Sequence, residues 1–319
     1  MAVYSDVSFE DLRRFLGDYD VGTPLSFKGI AEGVENSNFF LQTDRGAFIL
    51  TLYEKRVREA DLPYFLGLME HLAARGIACP QPVRRTDGAQ SGSLNGRPAA
   101  LLTYLNGLSL RSPGADHCAA AGAALAALHE AGFEFDLYRP NALDLDGWRE
   151  LAATSVDRAD TVQSGLRTLI EATLNDLSEQ WPHPLPSGII HADLFPDNVL
   201  FVHGAVSGLI DFYFACNDAF AYDLAVLLNA WCFDEANAFD KEKGKKLLAA
   251  YRKHRELSDA EIAALPILAR GAALRFLLTR LYDLLNHDPM ALVRPKDPRD
   301  FADRLRFHRQ VKSATEYGL

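Results

Sequence analysis

Cysteine is scarce in this 319-residue chain, and methionine and tryptophan are scarcer: four Cys, three Met and three Trp. Cys79, Cys118, Cys216 and Cys232 lie far apart and match no zinc-ligand spacing. A zinc-built fold and a disulfide scaffold are set aside, and buried thiols in a reducing cytoplasm are the expectation. Cys216 follows soon after Asp211, but a catalytic thiol is not expected there. No Lys/Arg cluster suggests a nucleic-acid face, and the formal net charge is −10. A nucleic-acid partner is therefore not expected. A small anionic ligand needs only local positive potential and a metal. No apolar run approaches the length of a membrane helix and no signal peptide opens the chain, so no membrane partner is expected. Internal repeats and low-complexity segments are missing too. Nothing in the sequence indicates the oligomeric state.

What is present is ordinary in bulk and specific in one place. The chain is 48% hydrophobic and 24% charged, and it is long enough for two lobes. The specific place is His191-Ala-Asp-Leu-Phe-Pro-Asp-Asn198, which reads H-x-D-x-x-x-x-N. Two β-prone runs follow, Val199–Val202 and Val206–Ile210, with His203-Gly204-Ala205 as the turn between them. Read as a hairpin, Asn198 enters the first strand and Asp211 leaves the second. Paired strands lie about 5 Å apart, so an amide oxygen and a carboxylate meet at one end. Magnesium favours such hard oxygen donors and takes the rest of its ligands from water and phosphate. Asp193 faces the same pocket. Asp and Asn are also ordinary turn residues. The combination of spacing, apolar hairpin and closing Asp carries the functional reading. His191 reads more readily as a holder of loop backbone than as a proton carrier.

Before this stretch the chain reads as mixed structure. Ser8-Phe-Glu-Asp11 caps a short helix. Strands are expected around 25–27, 34–43, 47–53, 83–85 and 98–104, with one long helix over 60–75 ending at Gly76. Between the first two strands, Gly29-Ile-Ala-Glu-Gly33 can lay backbone N–H groups over phosphates, although two glycines four apart also suit a plain hairpin. Residues 1–105 form a first, nucleotide-binding lobe, and Leu105-Asn-Gly107 is the expected hinge. Residues 106–319 form a second, mainly helical lobe carrying catalysis and substrate. Helices are expected over 116–131, within 148–179, and over 219–232, 241–255 and 258–285. The fold class is α+β.

These motifs resemble the aminoglycoside-phosphotransferase and choline-kinase group of the protein-kinase-like fold. Over nearly the full chain the pattern resembles bacterial homoserine kinases of that group. The segments carrying this are 26–38, 49–56, 65–72, 139–143, 190–199, 210–215 and 222–225. The His191–Asn198 and Asp211 motifs specify the superfamily only. The segments around the glycine loop and Ile49–Arg56 narrow it. The resemblance implies a bilobal fold and ATP- and Mg2+-dependent phosphorylation of the L-homoserine hydroxyl, in threonine biosynthesis. It implies Asp193, with His191 in the same loop, as the catalytic element. Asn198 and Asp211 become metal ligands. Gly29 and Gly33 cover the phosphates, and the Leu102–Leu105 stretch, with Tyr104, offers backbone to adenine. Asp223 would hold the catalytic loop's backbone.

Thr51 departs from the pattern, standing among the nucleotide-binding residues where a lysine is expected. Lys28 or Lys55 could substitute, and Glu59 and Glu70 compete as that cation's acidic partner. For the amino-acid substrate, Arg275 and Arg280 are the carboxylate candidates, either of which could instead be solvated or pair with Asp283. Glu35, Asn36, Tyr213 and Trp231 are further substrate candidates. Rival readings are a kinase for an aminoglycoside, choline or a sugar, a non-catalytic nucleotide-binding scaffold, and a phosphohydrolase. A protein kinase is disfavoured, since only 11 residues separate Asp211 from Asp223.

Overall fold

The computed structural model describes residues 7–30, 36–54, 57–182, 184–287 and 294–319. The chain divides into two compact units. One is Met1–Asn106 with Gly208–Tyr213, and the other is Gly107–Ser207 with Phe214–Leu319.

The first unit opens with α1 (Phe9–Leu16), where Ser8 Oγ accepts the Asp11 N–H at 3.1 Å. Next come β1 (Pro24–Gly29), β2 (Asn36–Thr43), β3 (Gly46–Tyr53), α2 (Leu62–Ala74), β4 (Gly92–Leu94) and β5 (Arg97–Thr103). The strands form one antiparallel sheet in the order β1-β2-β3-β5-β4. Asn95 and Gly96 both take positive φ, as a two-residue hairpin turn requires, and set Leu94 opposite Arg97. Alternation along β2 and β3 sends Phe39, Leu41, Leu50 and Leu52 into a core shared with Leu12, Phe15 and Leu101.

Five strands were expected and five form, but one lies elsewhere. Residues 83–85 are not a strand. Pro82 has no N–H to donate, Val83 N–H reaches Leu101 O at 2.7 Å, and Arg85 N–H turns back to Ala89 O at 2.9 Å. The last sheet position belongs to β4 instead.

The second unit holds α3 (Ala115–Ala131), α4 (Leu145–Ser155), α5 (Leu166–Gln180), β6 (Ser187–Ile190), β7 (Val199–Val202), β8 (Ala205–Leu209, which runs into the first unit), β9 (Cys216–Ala219), α6 (Phe220–Trp231), α7 (Lys241–Arg252), α8 (Asp259–Leu285) and α9 (Arg299–Gln310). β7 and β8 form the expected hairpin. β6 and β9 pair antiparallel and were not foreseen, because four-residue strands carry too little pattern to read.

Ser258 and Glu261 cap α8 reciprocally, with Ser258 N–H donating to Glu261 at 2.9 Å and Glu261 N–H to Ser258 at 3.3 Å. α8 corrects one expectation. By length and composition it could cross a membrane, yet 72% of its most apolar window is buried against protein. It is the core helix of its unit, packed on α4, α6 and α9.

α3 lies against α7 so closely that a Cβ on Gly122 would stand 2.4 Å from Leu247 O. Gly122→Ala should therefore cost about 1–3 kcal/mol through overpacking, seen as a lower Tm in thermal unfolding. His308 on α9 is fully buried between Tyr317 OH (2.7 Å) and Asn229 Oδ1 (3.1 Å), and burial pushes its pKa down from 6.5 to about 3. The unfolded chain therefore takes up a proton below pH 6.5 that the folded one refuses. Stability present above pH 6.5 is lost progressively toward about pH 3. Between pH 7.5 and 5 this should remove about 2 kcal/mol, and in denaturant titrations at both pH values His308→Gln should shrink the difference.

Candidate active site

In the second unit the H-x-D-x-x-x-x-N loop leaves β6 and is held at many of its backbone groups. Ala192 takes φ +62°, a left-handed conformation costly for a residue with a Cβ. It persists because both sides of the residue are bonded to buried charges. The Asp223 carboxylate, at the start of α6, accepts the N–H of His191 at 2.7 Å and of Ala192 at 2.9 Å. Arg275 on α8 donates to Ala192 O. Trp231 Nε1–H donates to Leu194 O at 2.8 Å. His191 is fully buried, and its Nδ1 accepts the Asp193 N–H at 3.3 Å. Through that bond it holds the loop. Asn198 Nδ2 donates to Asp193 O at 2.8 Å and to Asp193 Oδ2 at 3.3 Å. Its amide nitrogen is thus spent on Asp193, and Oδ1 is the atom that could take a metal.

Asp223 has its own support. His129 Nε2 lies 3.1 Å from Asp223 Oδ2, and His129 Nδ1 lies 2.8 Å from Tyr251 OH. Arg255 donates to Tyr251 OH at 3.3 Å and pairs with Glu261 at 2.9 Å. Burial holds the His129 ring below the ordinary histidine range, against the pull of Asp223. A neutral ring donating from Nε2 and accepting at Nδ1 satisfies every partner. Burial by itself would raise Asp223. The hydrogen bonds from His129 and from the loop N–H outweigh it and keep the carboxyl below its usual range.

In the first unit Asp211 closes the hairpin at φ +66°, another left-handed residue that is not glycine. Functional groups are often held in such strained positions. Tyr213, two residues on, is half-buried. Its hydroxyl meets Tyr53 OH at 3.3 Å, its ring meets Tyr53 and Phe65 edge-on, and burial pushes its pKa up to about 12. Thr51 is 1% exposed and donates to Asn38 Oδ1 at 2.8 Å. It offers nothing to a nucleotide, which corrects that expectation. Lys28 is exposed on β1, and Lys55 lies outside the described residues. Glu70 is occupied by Arg84 at 2.7 Å and Glu59 is exposed. Asn36 is buried and its Oδ1 accepts the Glu54 N–H at 3.4 Å. Gly29 ends β1, while Gly33 and Glu35 lie outside the described residues. Leu102 is buried and paired with Ile49, and regular pairing ends at Thr103. Tyr104 and Leu105 therefore carry backbone past the end of the sheet.

Two substrate expectations fail in the second unit. Trp231 is fully buried with its N–H committed, so its face meets no ligand. Arg275 is 1% exposed, stacks between the Phe214 and Phe276 rings, and spends itself on Ala192. It is neither solvated nor a carboxylate ligand. Arg280 pairs with Asp300 at 3.3 Å rather than with Asp283. Cys216 is buried in β9, where burial pushes its thiol far up, so it is inert.

A model of the phosphotransferase enzyme family matches residues 26–257. A homoserine kinase of Rhizobium etli is 60% identical over 319 residues, which is 100% of this chain and 99% of that protein. The chain belongs to the homoserine kinase family. A second member, from Methylobacterium radiotolerans, is 60% identical over 318 residues, again covering 100% of this chain and 99% of that one. Among solved structures, an amicoumacin kinase in complex with AMP-PNP and Ca2+ aligns with a TM-score of 0.71 over 96% of this chain and 93% of that chain. At 15% identity that likeness speaks for the protein-kinase-like fold.

Sequence reasoning missed His129, Tyr251 and Arg255. They lie on helices with no local motif, and only the tertiary structure puts them in one chain of hydrogen bonds. Asp223→Ala would leave two buried N–H groups without an acceptor, at about 1–3 kcal/mol each. It should lower Tm and, by loosening the loop under Asp193, reduce kcat at least ~100-fold. Tyr251→Phe should cost only about 1 kcal/mol in thermal unfolding.

Proposed function

We propose that this chain transfers the γ-phosphoryl group of ATP to the side-chain hydroxyl of L-homoserine, giving O-phospho-L-homoserine for threonine biosynthesis. The observation that carries this is 60% identity to homoserine kinases along the whole chain. The geometry of the second unit supports the chemistry. Asp193 is held by Asn198 and by a pinned backbone, as a base that must orient a hydroxyl requires. In the reaction the homoserine oxygen bonds to the γ-phosphorus, the bond to the bridging oxygen breaks, and ADP leaves. Asp193 accepts the hydroxyl proton late, since a loose transition state asks for alignment more than for early proton removal.

Asn198 and Asp211 are the metal-ligand pair in this reading. An amide oxygen and a carboxylate suit magnesium, which takes few ligands from protein. Among the described residues no group of three His, Cys, Asp or Glu side chains is placed to hold a metal, so a phosphate-supplemented site fits better than an all-protein cage. When bound, magnesium supplies charge neutralisation at the β and γ oxygens. The first unit binds the nucleotide, with the backbone at Tyr104 and Leu105 offered to adenine and the loop from Gly29 to the phosphates. The second unit binds the amino acid. The reaction is placed in the cytoplasm, in keeping with four buried free cysteines.

The test is ADP release in the presence of magnesium with L-homoserine, D-homoserine, L-serine, choline, an aminoglycoside or no acceptor. L-Homoserine should stimulate strongly, and Asp193→Asn should reduce kcat by about 10²–10⁴. A better rate with choline or the aminoglycoside would overturn the substrate. ATP binding without ADP release under any condition would favour a scaffold.

A further inference from the structure

L-Homoserine differs from the amino alcohols and aminoglycosides by a carboxylate, at the opposite end of a four-carbon chain from the reacting hydroxyl. A planar carboxylate is best received by two parallel N–H donors of one guanidinium. Arg275 is excluded, as it is 1% exposed, packed against the Phe214 and Phe276 rings and bonded through Nη1 to Ala192 O.

Arg280 lies further along α8. Its Nη1 donates to Asp297 O at 3.0 Å and to Asp300 Oδ2 at 3.3 Å, and its guanidinium sits 4.4 Å above the Phe301 ring. Among the described residues those are its only hydrogen bonds, so Nε and Nη2 remain unspent. The side chain is 14% exposed, so it is immobilised yet reachable.

The same segment reaches the catalytic loop. Lys296, next to Asp297, pairs with Asp197 at 3.0 Å and lies 5.7 Å from the centre of the Phe195 ring. Asp197 and Phe195 both belong to the His191–Asn198 motif. Burial draws the Arg280 guanidinium down, and the carboxylates of Asp300, Asp197 and Asp193 draw it back up.

We infer that Arg280 is the specificity residue of this enzyme, and that its Nε–Nη2 edge receives the substrate's α-carboxylate while the side-chain hydroxyl faces Asp193. The inference rests on the proposed homoserine chemistry. It gives a reason for an amino-acid kinase on a fold shared with an amicoumacin kinase. The bonds from Nη1 hold the guanidinium at a fixed angle, so little freedom is lost on binding.

The competing role for Arg280 is a clamp that fixes the start of α9 through Asp297 and Asp300. Kinetics with L-homoserine and L-homoserinamide, in which a neutral amide replaces the carboxylate, separate the two. The wild type should favour homoserine by at least about tenfold in kcat/KM. Arg280→Gln should raise the homoserine KM at least about tenfold, with KM for ATP and kcat/KM for the amide within about twofold of wild type. Asp300→Asn, which removes the ion pair but keeps the Nη1 bond to Asp297 O, should keep the preference for homoserine.

Equal wild-type use of both substrates would overturn the inference, even if Arg280→Gln failed to fold. So would equal losses on both substrates in Arg280→Gln. Those results would leave the proposed reaction standing. Absence of any homoserine phosphorylation would remove both.

Discussion

One buried carboxylate fixes the geometry of the second unit's reactive loop. Asp223 accepts two consecutive backbone N–H groups, those of His191 and Ala192, from a position with no exposure to water. An ionised group there survives only if its partners replace the lost hydration. Two peptide N–H groups and a neutral imidazole do so. In return the carboxylate forces Ala192 into a conformation worth about 1–2 kcal/mol of strain. That turn of backbone sets the direction in which Asp193 leaves the chain. Arg275 completes the arrangement from the other side of Ala192, so the residue is bracketed by a buried anion and a buried cation.

The loop then shows a division of labour that its motif conceals. Of the four polar positions in His191-Ala-Asp-Leu-Phe-Pro-Asp-Asn198, His191 is buried and structural, and Asp197 is tied to Lys296. Asp193 and Asn198 are bound to each other. The bond to Asp193 Oδ2 ties the two side chains together, and the bond to Asp193 O fixes the Asn198 amide on the loop backbone.

How much of this was legible in the sequence follows from where the information lies. The loop, the hairpin behind it and Asp211 were legible because turn and strand signals sit within 21 consecutive residues (191–211). The capped α8 was legible because Ser258 and Glu261 are three apart. Asp223 entered by resemblance, and its bonds agree with the role. β6 and β9 were not legible, since two four-residue strands acquire meaning only by pairing. Trp231 and Arg275 were misread for one shared reason. An aromatic ring or a guanidinium advertises ligand chemistry in a sequence, but burial decides whether a ligand or a backbone carbonyl receives it, and burial is a tertiary fact. Thr51 was flagged as a missing cation. The structure shows a buried hydroxyl bonded to Asn38, so the position now serves the sheet.

The reach of these contacts along the chain bears on how the enzyme comes into being. The loop's N–H groups wait for an acceptor 31 and 32 residues later, the Ala192 carbonyl for a donor 83 residues later, and Asp223 leans on a histidine 94 residues earlier. None of these can form from local sequence alone, and each needs a loop closed before it returns any stabilisation. The strained turn at Ala192 is therefore among the last features to become favourable as the second unit folds. A partly assembled chain would have its helices before it had a reactive loop, and would bind or consume nothing through that loop. Competence to react thus arrives together with completion of the fold.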